Sequence, residues 1–131
     1  MDINILAVLV AAISAFILGG LWYSPLLFGK RWQSLTGLSD EEIQAANPAV
    51  KFGISFALAL VAAIVFAAFL GPHPTLSFAI SAGLAAGLGW VATSFGINYL
   101  FENKSMELFL INAGYHAAQF TIMGVILGLW P

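Results

Sequence analysis

The chain has 131 residues, of which 61% are hydrophobic and only 8% charged. Its mean hydropathy is +0.97, far from the soluble average, and its net charge of -2 argues against nucleic acid as a partner. No cysteine is present, which excludes disulfides, thiolate metal sites and a cysteine nucleophile.

Apolar stretches fill most of the chain and leave little for a separate water-soluble core. The expected fold is an all-α integral membrane protein, a single domain over residues 1–131 with four transmembrane helices in an antiparallel bundle. A bilayer crossing needs about 20 apolar residues, and four segments qualify, at about 3–23, 48–70, 76–99 and 106–130. The first resembles a signal peptide in position, but Asp2 replaces the usual cation and the apolar run is too long, so it is retained as helix one.

After helix one, "LWYSPLLFGKRW" sets Trp22, Tyr23, Phe28 and Trp32 around Lys30 and Arg31. Amphipathic aromatics beside cations suit the headgroup layer. Trp22, Tyr23, Lys30, Arg31 and Trp32 are therefore expected as interfacial anchors, with Trp130 at the other surface. A lipid or partner site is the competing reading. In "TGLSDEEIQAANPAV", Ser39 followed by Glu42 fits a capping box for a short helix that Pro48 stops, and Pro48 also suits the first turn of helix two.

Lys30, Arg31 and Lys51 flank the first connection and Lys104 lies in the third. Because cytoplasmic loops retain cations, the expected topology is multi-pass in the cell membrane, both termini non-cytoplasmic and the two charged connections inside.

Small residues recur at four-residue spacing: Ala7, Ala11, Ala15, Gly19; Ser55, Ala59, Ala63, Ala67; Ala79, Gly83, Gly87; Ala113 and Ala117, then Gly124 and Gly128. Such stripes let backbones approach closely, either within one chain or between copies, and a homo-oligomer is expected. "AISAFILGGLW" in helix one echoes "AISAGLAAGLGW" in helix three, but helices two and four do not extend the echo into a repeat.

Helix four carries "NAGYHAAQF" within its apolar run. At about 100° per residue, Asn112, Tyr115, His116, Gln119 and Met123 share one arc. Ile111, Ile122, Val125 and Leu129 fall on a side suited to lipid. Ser94 and Asn98 share an arc with Gly83 and Gly87 on helix three, and the short "FENKS" turn pairs helices three and four. Counting equal steps from the turn brings Ser94 level with Asn112, Trp90 with His116 and Gly87 with Gln119, so that Gly87 makes room for Gln119. The polar seam is thus Ser94, Asn98, Asn112, Tyr115, His116 and Gln119, facing protein because exposed polar groups would lack partners in hydrocarbon.

Glu102 stands at the inner mouth of that seam, or pairs with Lys104 or Arg31 at the surface. His73 reads as a loop residue between two prolines. His116 and Glu102 lie at different depths, no cofactor or metal site is expected, and no catalytic set is present.

"GLWYSPLLFGKRW" and "NYLFENKSMELFLINAGYH" resemble a small bacterial membrane family, domain of unknown function 1761. The resemblance covers nearly the whole chain through the Trp-Tyr-x-Pro entry, Phe28-Gly29 with Trp32, Phe101-Glu102, and Asn112 to Tyr115. It implies an integral membrane protein with four spans and supplies no activity, substrate or cofactor. The expected role is a noncatalytic, self-associating membrane protein, whose partners are membrane lipid, a second copy or another membrane protein. The alternative is a small oligomeric transporter or channel protomer, with Asn98, Asn112, His116 and Gln119 along a hydrated path.

Overall fold

The computed structural model describes residues 3–45 and 47–131; Asp2, on which the signal-peptide argument turns, lies outside them. The described residues are helical, with no strand among them. The first span is α1 (Ile5–Trp22), and the first connection carries α2 (Gly29–Thr36) and α3 (Asp40–Ala45). The second span is α4 (Pro48–Leu70). The third is one continuous helix built of α5 (Leu76–Leu84), a π-helical stretch (Ala85–Ala92) and α6 (Thr93–Phe101), and the fourth is α7 (Met106–Leu129). All four are long and apolar enough to cross a membrane, and their ends differ from the sequence expectation by at most two residues.

The starts of the helices follow from short polar side chains that accept otherwise orphaned backbone N–H groups. Asn4 accepts from Ala7 N at 3.1 Å, Thr75 from Phe78 N at 3.2 Å and Ser105 from Leu108 N at 3.1 Å. Asn47 caps α4 through Ala49 N and Val50 N, with Pro48 in the first turn. The capping box forms as expected: Glu42 N donates to Ser39 Oγ at 3.1 Å and Ser39 N to Glu42 Oε1 at 3.3 Å. The helix α2, which sequence reasoning did not anticipate, ends at Gly37, whose φ of 75° permits the left-handed cap.

Packing is organised around the fourth span, which lies against α1 on one side and against α5 and the π-helical stretch on the other. The second span packs chiefly on α1. Ala7, Ala11, Ala15 and Ala63 are fully buried together with Ala79 and Met123. The small stripes are thus spent largely inside one chain, with Ser55 as an exposed exception.

Between the third and fourth spans the backbones nearly touch. A Cβ added at Gly83 would strike the Phe120 carbonyl, one at Gly124 the Ala79 carbonyl, and one at Gly87 would lie 2.6 Å from Ala117 Cα. These pairs run in opposite directions along the two helices. They also correct the expected register: Gly87 faces Ala117 and not Gln119, a slip of two residues. Ile111, expected on the lipid side, is buried, because its turn of the fourth span faces the first.

Candidate functional site

The polar side chains of the fourth span meet the first span as much as the third. Trp22, at the end of α1, donates its Nε1–H to the Ile111 carbonyl at 3.0 Å. Its ring lies over Gly114, where an added Cβ would come within 3.1 Å of it. Tyr23 donates to Asn112 Oδ1 at 2.7 Å, and Asn112 Nδ2 donates to the Tyr99 hydroxyl at 2.7 Å. One amide therefore joins the first, third and fourth spans, using an acceptor toward one neighbour and a donor toward the other.

Tyr115 turns to the first span, donating to the Ala15 carbonyl at 3.0 Å, in space left by Gly19. His116 Nδ1 lies 2.8 Å from Gln119 Oε1, a hydrogen bond in the tautomer that carries its proton on Nδ1, since an amide oxygen only accepts. The imidazole stacks on Phe95 of the third span with ring centroids 5.1 Å apart. Gln119 is buried, and among the described residues every fully buried side-chain nitrogen and oxygen has a partner.

Ring contacts close this set into a circuit. Tyr23 meets Tyr115 at 5.5 Å, Tyr115 meets His116 at 4.9 Å, and Phe95 meets Tyr99 at 5.7 Å. Asn112 bridges back from Tyr99 to Tyr23. Trp32 joins from α2 through Tyr23, at 5.9 Å. That approach depends on the tight turn after α1, where Phe28 N donates to the Trp22 carbonyl and Gly29 N to the Ser24 carbonyl. A Cβ at Gly29 would meet the backbone of Ser24.

Of the six residues expected in the seam, Asn112, Tyr115, His116 and Gln119 come together. Ser94 and Asn98 do not join them: both are exposed, and Ser94 donates to the Trp90 carbonyl of its own helix. Trp22, Tyr23 and Trp32, expected as surface anchors, are partly buried and turned inward. Trp22 and Tyr23 find hydrogen-bonding partners on the fourth span, and Trp32 packs on Tyr23. Lys30 and Trp130 are exposed.

Arg31 is not a free anchor either. It forms a two-pronged pair with Glu107, Nε to Oε1 at 2.5 Å and Nη2 to Oε2 at 2.6 Å. The hydrogen bond and charge of that carboxylate raise the guanidinium above its usual pKa. Glu102, for which Arg31 was one of two expected surface partners, is exposed in the third connection. Sequence reasoning also missed Tyr99 and Phe95. A tyrosine beside Asn98 at the end of a span was the available signal for the first; nothing distinguishes Phe95 from the chain's other phenylalanines.

The family described as Protein of unknown function (DUF1761) matches residues 6–128. The chain belongs to the DUF1761 family. No curated protein and no solved structure matches it. The match spans all four helices, so the circuit around Asn112 lies wholly within the DUF1761 segment. That segment also includes the motifs "GLWYSPLLFGKRW" and "NYLFENKSMELFLINAGYH", and the structure brings their aromatic and amide side chains into contact with one another.

Proposed function

We propose that this protein is a noncatalytic, multi-pass membrane protein, self-associating, in which the polar residues of the fourth span lock helix packing and do not line a path. The observation that carries the reading is the Asn112 amide, bonded on both sides to phenols of different spans. A group already satisfied by protein has little need of water. Lys30, Arg31, Lys51 and Lys104 support an orientation with the charged connections in the cytoplasm and both termini outside it. Self-association is assigned to the second span, where Gly53 and Ala57 are exposed four residues apart, while the stripes of the first and third spans are already used within the chain.

The test uses the cysteine-free background. Single cysteines at Asn98, Ala113, His116 and Gln119 are exposed, in sealed bilayers, to a small water-soluble thiol reagent. Labelling at Asn98 with protection at the other three is the expected result. Labelling at His116 and Gln119 would mean a hydrated interior, and the transporter or channel reading would replace this one.

A further inference from the structure

The second and third spans touch through few residues. Phe69 meets Trp90 edge-on at 6.2 Å, while Phe66 meets Phe120 of the fourth span at 5.8 Å. Beside these contacts lies a groove of about 220 Å³, with Ala62 and Phe66 on the second span, Ala86, Trp90 and Val91 on the third, and Phe120 on the fourth. Trp90 is 65% exposed although it forms part of this wall.

The third-span wall is a product of the unusual winding. Ala86, Trp90 and Val91 all belong to the π-helical stretch. In an α-helix, five residues turn through about 500°, which would leave Val91 about 140° round from Ala86. An i→i+5 coil brings residues four and five apart back toward one face. An eight-residue π-helix is long for a form seen mostly as single-turn bulges at functional positions, and here its wound face is the one that lines the groove.

The shape and surroundings select the occupant. Every wall residue lies on a helix able to cross the membrane, so the groove opens where hydrocarbon, not water, is the solvent. A stable interface with a second copy draws on about 20–30 residues a side, many more than line this groove. A single flexible hydrocarbon chain can follow an open apolar groove of this size and shape.

We propose that this groove is a binding site for one acyl chain of a membrane lipid, with the Trp90 ring as a wall. The site does not depend on whether the polar seam is dry. The probe is phosphatidylcholine brominated at mid-chain, in vesicles containing the reconstituted protein, which is then extracted in mild detergent. The expected result is retention of a single lipid per chain by native mass, with quenching of the Trp90 emission that persists in detergent after exchangeable lipid is removed. Trp90→Phe supplies the fluorescence background. Filling the groove with Ala62→Phe and Ala86→Leu together removes the retained lipid, and the milder Ala86→Ile lowers retention several-fold while keeping the helical circular dichroism of the parent. Equal retention in parent and filled variants overturns the proposal, as does absence of retained lipid and of persistent quenching in the parent. A parent that extracts as two chains and separates when the groove is filled makes a second copy the occupant and overturns it equally.

Discussion

Removing the Asn112 side chain deletes two hydrogen bonds between spans, one to Tyr23 and one to Tyr99. Bonds of this kind average about 0.6 kcal/mol each inside a membrane, so their direct loss is about 1.2 kcal/mol, a factor of about eight in the folding equilibrium. Both phenols then lose their shared partner, and a stranded buried hydroxyl adds about 1 kcal/mol or more where no other partner is in reach. Asn112→Ala is therefore expected to cost about 1–3 kcal/mol, and Tyr23→Phe or Tyr99→Phe, each of which strands one group of the amide, about 0.6–2 kcal/mol. The assay is reversible unfolding in mixed micelles, with helicity as the readout, over the complete cycle of single and double variants. Because both phenylalanine variants remove bonds made by the same amide, neither should add its full cost once Asn112 is alanine. Full additivity, or an Asn112→Ala protein as stable as the parent, would falsify the circuit as a lock.

Gly83→Ala should destabilise by about 1–3 kcal/mol, the range for overpacking a close contact, since its methyl would meet the Phe120 carbonyl. Gly20→Ala, at a site with nothing within 4 Å, should be neutral or stabilise by up to about 1 kcal/mol through helix propensity; the same unfolding assay checks both, and equal costs at the two sites would refute the close approach. Replacing the exposed Ala57 by Leu should raise the fraction of single chains, measured by energy transfer between labelled copies in vesicles. An unchanged transfer efficiency removes the second span from the association.

The four spans, the capping box of the first connection and Pro48 at the start of the second span were readable because each rests on local information. Hydropathy over twenty residues, a serine three before a glutamate, and a proline in the first turn of a helix all act within a short stretch of the chain. The register of the third and fourth spans was not readable, since equal steps from the turn assume the same rise per residue in both helices. The π-helical stretch packs more residues into each turn, so the third span uses extra residues to reach a given depth. The loss is two residues by the level of Gly87.

Trp22 and Tyr23 show a different limit. Their amphipathic rings suit headgroups or a polar seam equally well, and the choice between them is made by Ile111 and Asn112, eighty-nine residues away. Arg31 likewise had a candidate in Glu102 and takes Glu107 instead, at a comparable distance along the chain. Tyr115, His116 and Gln119 lie near one another along one helix, as a local property of a helix face places them. Their partners were beyond that horizon.

The central place of the fourth span has a consequence for how the protein is made. Asn4 donates to the Trp130 carbonyl, Trp22 and Tyr23 reach Ile111 and Asn112, Ala15 accepts from Tyr115, and Tyr99 accepts from Asn112. Each of these groups belongs to a part of the chain synthesised before its partner. Three spans thus enter the bilayer with polar groups and small-residue faces still waiting, and the helix that satisfies them is delivered after all three. The first and second spans pack on one another without it, and the fourth span, arriving last, is the element that joins the third span to that pair and satisfies their polar groups.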